Sequence, residues 1–124
     1  MFIGVDFDGT CVMHEYPNVG LTNKGSVEVL RELVAAGHKL VLFTMRDKQA
    51  LQDAVDWFAA WEIPLHGINH NPDQSSWTSS PKAYAHVYID DAALGCPCKR
   101  DPHGRDYVDW LTVREMLRFK RVLP

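Results

Sequence analysis

The chain has 124 residues, of which 46% are hydrophobic and 23% charged, and carries a formal net charge of −3. That length suits one domain, 1–124, burying about two-thirds of its unfolded surface in a single core. The acidic balance argues against nucleic acid as the main partner. No run approaches the roughly 20 apolar residues of a membrane span, and three cysteines, an odd count, do not make a disulfide framework.

Asp6 and Asp8 interrupt the only apolar run near the N-terminus, so no secretory leader is visible and a cytoplasmic protein with reduced thiols is expected. That run, Phe2-Ile3-Gly4-Val5, has no polar alternation and suits a strand buried on both faces, with Asp8-Gly9 breaking it. Residues 11–20 show no period and are expected as an irregular excursion. From Thr22 the pattern turns helical: Val27, Leu30, Leu33 and Val34 share one face, and Gly37 stops the helix. Leu40–Phe43 reads as a second buried strand ending at Thr44-Met45-Arg46. Asp47 is placed to cap the next helix, whose apolar face is Leu51, Ala54, Val55 and Phe58 and which ends before Pro64. A short third strand is expected around Gly67-Ile68, then a polar loop to Pro81. Ala85–Ile89 reads as another strand, ending at Asp90-Asp91. A turn-rich stretch with Cys96-Pro97-Cys98 follows, and Asp106 is placed to cap a last helix carrying Trp110, Leu111, Val113 and Leu117.

Strands alternating with helices imply right-handed βαβ units, hence a three-layer Rossmann-like α/β fold with a parallel sheet and helices on both faces. Three strand ends then carry polar residues: Asp6 with Asp8, Thr44, and Asp90 with Asp91. In a parallel sheet these ends lie along one edge, where open α/β sheets bind ligands. Residues i and i+2 of a strand point the same way, so Asp6 and Asp8 would share one space. Carboxylates held that close repel unless a proton or a cation intervenes, which points to a bound metal, an acid/base role, or both.

Asp6-Phe7-Asp8-Gly9-Thr10, then Thr44, Lys82 and Asp90-Asp91, resemble in order the four motifs of the haloacid dehalogenase (HAD) superfamily of Mg²⁺-dependent phosphohydrolases. The resemblance implies an HAD-like core in which Asp6 attacks phosphorus to give an aspartyl-phosphate. Asp8 would protonate the leaving oxygen and then activate water. Thr44 would hydrogen-bond a phosphoryl oxygen, and Lys82 would hold Asp6 and the phosphate. Mg²⁺ would be bound by Asp6, the backbone carbonyl of Asp8 and Asp90, with Asp91 acting directly or through water. The intervals 11–20 and 64–81 have no room for the cap domain common in that superfamily. A capless member has an open site, suited to a phosphorylated macromolecule or to a small phosphorylated molecule enclosed by homo-oligomerisation.

Several residues keep two readings. Arg46 either binds a second anionic group of the substrate or pairs with a nearby carboxylate, the pair being favoured. Trp77 either packs on substrate or anchors its loop. Cys96, Cys98 and His103 suggest zinc, but Cys-x-Cys is not the usual Cys-x₂₋₄-Cys spacing and no second Cys pair exists. The cations of 114–121 interleave with apolar residues as on a solvated helix face. A phosphotransferase, or a non-catalytic phosphate-binding regulatory module, would share this fold. Response-regulator receivers, however, place their phosphoacceptor later in the chain.

Overall fold

The computed structural model describes residues 1–124. Strand β1 (Phe2–Val5) pairs in parallel with β2 (Lys39–Leu42) on one side and with β4 (Val87–Ile89) on the other; β3 (Gly67–Ile68) extends the sheet beyond β2. The order is therefore β3-β2-β1-β4. From β1 the chain moves outward through β2 and β3 and then returns to β1's other side as β4. Strand order thus reverses at the carboxyl end of β1, the position where open parallel sheets leave a crevice.

The register explains the apolar sequence of β1. Ile3 and Val5 face the α-helices, joined by Phe7 and by Leu40, Leu42 and Ile89 from the neighbouring strands. Helices α1 (Ser26–Ala35), α2 (Lys48–Ala60) and α3 (Trp110–Phe119) contribute Leu30, Leu33, Ala54, Phe58, Val113 and Leu117 to the same core. The opposite face, by strand alternation, carries Phe2, Gly4 and Tyr88. It is covered by residues 69–86, whose only helix is a 3₁₀ turn at Pro72–Ser76. The helical layers expected on both sides are thus unequal. Gly4 lets the thin side close: a Cβ there would lie 2.8 Å from the Tyr88 ring.

Each α-helix ends in the same paired bonds. Gly37, Glu62 and Arg121, all at positive φ, donate to the carbonyl three residues back, and the residue after each donates five back. Asp47 sits at the N-cap of α2, but its carboxylate makes no cap bond. Asp106 does not cap α3. It opens strand β6 (Asp106–Val108), which pairs antiparallel with β5 (Cys98–Arg100), so the chain stays extended until Asp109, which accepts from the Thr112 N–H. Turns fill residues 91–96 as expected, and this unexpected hairpin follows them. No inserted domain covers the sheet edge, and no helix is long and apolar enough to cross a membrane.

Candidate active site

At the strand-order reversal, carboxylate oxygens of Asp6, Asp90 and Asp91 lie within 4.8 Å of one another. Strand pairing puts them there: β1 and β4 run in register from Ile3↔Val87 to Val5↔Ile89, and Asp6 N–H continues the ladder to the Ile89 carbonyl at 3.0 Å. No Lys or Arg side chain forms an ion pair with this trio. The basic side chain beside it is His14, whose Nε2 lies 3.4 Å from Asp91 Oδ2 and 2.8 Å from the Asp106 carbonyl.

Burial is the main force raising the pKa of Asp6 from its ordinary value to about 8. The neighbouring carboxyl group of Asp91 and the charge of Asp90 raise it further, against the opposing Thr10 hydroxyl. Asp90 is also raised, again mainly by burial, although its Oδ1 accepts the Ala92 N–H at 2.9 Å. Three partly buried oxygen donors that repel one another fit a hard divalent cation such as Mg²⁺, which binds through carboxylates and retains waters.

Thr10, within the first motif but without an expected role of its own, ties the group together. Its fully buried hydroxyl donates to Asp6 Oδ2 at 2.9 Å, lies 3.5 Å from Asp91 Oδ1, and accepts the Asp91 N–H at 3.2 Å. Its carbonyl accepts from Trp110 Nε1 at 2.7 Å and Asn23 Nδ2 at 3.0 Å, so distant parts of the chain hold the turn. Gly9 has φ +76°, and a Cβ there would overlap the His14 ring and approach Asp91 Oδ2 to 2.7 Å. Gly9→Ala is accordingly expected to cost about 1–3 kcal/mol of stability from backbone strain alone and to displace Asp91. Thermal unfolding with and without Mg²⁺ checks both effects.

Asp8 lies outside the trio. Its two oxygens are gripped by Arg46, with Nε to Oδ2 and Nη2 to Oδ1 both at 2.7 Å. Of the two readings of Arg46, the structure therefore has the ion pair. Its remaining donors go to carbonyls of Pro17, Asn18 and Ala50, leaving none for a substrate anion. Placing Arg46 among the substrate-binding residues is thus corrected by its own hydrogen bonds.

Thr44 sits at the end of β2, nearly buried. Its Oγ1 accepts the Arg46 N–H at 3.1 Å, and its own O–H has no acceptor in the chain. Asn69 clamps it from the end of β3, accepting the Thr44 N–H at 2.8 Å and donating to its carbonyl at 2.9 Å. Asn69 was legible as a further polar strand end; His14, a lone histidine in an irregular stretch, carried no such signal.

Lys82 makes no ion pair with the carboxylates. Its ammonium lies over the Tyr88 ring, 5.6 Å from the centroid, on the sheet face that Gly4 and Asp6 share by alternation. It lines a cavity of about 310 Å³ with Trp77, Thr78, Ser80, Tyr84 and Tyr88. Trp77 is 57% exposed and packs edge-on against Tyr84, a loop contact. Cys98 Sγ lies 3.7 Å from the Asp91 carbonyl, while His103 sits at the hairpin turn with its N–H on Asp101. Burial pushes the Cys98 thiol up to about 11 and raises that of Cys96.

No family model matches the chain, and no curated protein is significantly similar to it. Among solved structures, a conserved protein coded by a locus of Bacteroides thetaiotaomicron is 32% identical, covers 97% of this chain and 91% of its own, and superposes with a TM-score of 0.79. Identity at that level, sustained over nearly the full length of both chains, means that the chain belongs to the family of this conserved Bacteroides thetaiotaomicron protein.

Proposed function

We propose that the protein is an Mg²⁺-dependent phosphomonoester hydrolase of HAD type, working through an aspartyl-phosphate on Asp6. The observation that carries this reading is the Asp6, Asp90 and Asp91 trio at the strand-order reversal, lacking an internal Lys or Arg counterion. Mg²⁺ held by these three carboxylates would neutralise charge on the phosphoryl oxygens and keep Asp6 ionised.

Asp6 attacks phosphorus and the bond to the ester oxygen breaks, with Asp8 giving a proton to that oxygen. Asp8 then takes a proton from water, which attacks phosphorus and frees Asp6 and inorganic phosphate. Thr44 donates its unclaimed O–H to a phosphoryl oxygen, while Thr10 orients the Asp6 carboxylate. Lys82 swings from the Tyr88 face toward the phosphoryl group. Lys82→Ala is expected to lower kcat/KM about 10²-fold, the usual worth of one electrostatic contact to developing charge. An unchanged kcat/KM would make it a surface lysine.

The open, uncapped edge suits a phosphorylated macromolecule or a small phosphorylated molecule enclosed by a second copy. A phosphotransferase would differ only in the acceptor that replaces water.

Beryllium fluoride, which imitates a phosphoryl group on a carboxylate, tests the reading without knowledge of the substrate. With Mg²⁺, and at a hundredfold excess over Kd, it is expected to add about 2.7 kcal/mol of stability to the wild type and none to Asp6→Asn. No stabilisation of the wild type would count against Asp6 as a phosphoryl acceptor.

A further inference from the structure

Arg46 is the most completely tied side chain near the site, and the reaction above gives it no task. Its side chain is 1% exposed, and its guanidinium lies between the rings of Phe7 at 5.0 Å and Tyr16 at 5.2 Å. Its donors reach three places at once. Two grip Asp8 at 2.7 Å. Two meet the Pro17 carbonyl at 3.1 Å and the Asn18 carbonyl at 2.7 Å. One meets the Ala50 carbonyl, 3.1 Å away at the start of α2. The strap of residues 13–20 is closed at its base, where the Met13 N–H donates to the Leu21 carbonyl at 2.8 Å, and His14 lies beside Asp91.

Tyr16, Pro17 and Asn18 are exposed residues of an irregular segment, yet the strap's carbonyls are spent on the same guanidinium that fixes Asp8. A planar fork with five donors can hold a carboxylate by both oxygens while serving other acceptors; a lysine ammonium, with three donors on one nitrogen, cannot hold this geometry.

We propose that Arg46 is a positioning residue that couples the strap at residues 13–20 to Asp8, so that Asp8 is aimed for proton transfer only while the strap is docked. This rests on the hydrolase reading for its kinetic consequence but not for its structural one. When the strap lifts, Arg46 loses two of its carbonyl partners and its stacking on Tyr16, and the Asp8 carboxylate loses its fixed orientation. Each oxygen of Asp8 keeps a further lone pair beyond the one given to Arg46, so the clamped group still has a place for the proton it gives to the leaving oxygen and then takes from water.

The test has two arms. In the first, Arg46→Lys keeps the charge and removes the fork. It is expected to lower kcat about 10²-fold, the cost of misplacing a catalytic group by about 1 Å, with KM and the Mg²⁺ midpoint unchanged within about twofold. Added to Asp8→Asn, the same substitution is expected to change kcat less than about threefold, because its effect passes through Asp8. Losses that multiply in the double variant, or a fall of kcat matched by a loss of folded protein, would overturn the positioning role.

The second arm needs no activity. Amide hydrogen exchange across 13–20 is expected to rise about tenfold in both Asp8→Asn and Arg46→Lys, with α1 and α3 unchanged. Unaltered exchange in the strap would overturn the coupling. A wild type without phosphatase activity, but with faster strap exchange in the variants, would sink the hydrolase reading and leave the coupling standing.

Discussion

Asp6→Asn is expected to abolish Mg²⁺-dependent phosphate release while making the metal-free protein more stable at neutral and higher pH. The activity loss follows from removing the nucleophile. The stability gain follows from the trio. In the metal-free fold the Asp6 carboxyl is held protonated up to about pH 8, mainly by burial and then by Asp91 and Asp90, whereas in the unfolded chain it ionises near its ordinary value of about 3.9. Because the folded value is raised, the stability Asp6 contributes is fully present below about pH 4. It is lost as pH rises through the window from about 4 to 8. An amide has no charge to lose and still accepts from Thr10. Thermal melts of the chelated proteins should therefore diverge across that window, the variant ahead at pH 8 and the two close at pH 4. Added Mg²⁺ should reverse the order by stabilising only the wild type. A variant melting below the chelated wild type at pH 8 would contradict the account of the trio.

Asp8→Asn should behave oppositely in stability while also losing activity. General acid–base help is worth about 10²–10⁴-fold, and turnover should fall by that much, with residual release still requiring Mg²⁺. Here, however, the substitution breaks a good pair. The Arg46 side chain is 1% exposed and the Asp8 side chain 21%, with two charge-assisted bonds of 2.7 Å between them. An amide can accept from only one side of the fork and turns an N–H₂ toward the other. A loss of about 1–3 kcal/mol is expected, the cost of a buried charged donor left unmatched. The metal-dependent rise in melting temperature should survive, because Asp8's side chain lies outside the trio. Two aspartates two residues apart thus give opposite stability changes on the same conservative substitution. A denaturation series of the wild type and both variants, with and without Mg²⁺, reads this directly.

The sequence announced the site's acidic side better than its basic one. Asp6 and Asp90-Asp91 were visible because a buried parallel strand running into adjacent acids has few bland explanations, and the β1–β4 register brings them together as expected. Thr44 was placed by the same logic. Asp8 was grouped with Asp6 because alternating residues of a strand share a face. Strand β1 ends at Val5, however, and the turn through Gly9 hands Asp8 to Arg46 instead.

Arg46 illustrates what spacing alone leaves undecided. Its partners Pro17, Asn18 and Ala50 come from an irregular strap and from the start of a helix, whose positions no periodicity fixes. Lys82 sits in a loop whose path depends on buried Gln74 bonding the Ser80 and Lys82 carbonyls, again without a local pattern. The β5–β6 hairpin was hidden because its strands are only three residues long and half of their residues are charged and exposed, too few to show either period. The helix cap then fell three residues later than expected, on Asp109.

Release of inorganic phosphate from a generic aryl phosphate and a panel of phosphorylated metabolites and phosphopeptides, with Mg²⁺, with chelator, and with Asp6→Asn, tests the role of Asp6 most directly. The expected result is turnover that needs Mg²⁺ and vanishes in Asp6→Asn. Turnover that persists in chelator or in that variant would contradict a reaction carried by Asp6 in a metal-bound carboxylate trio.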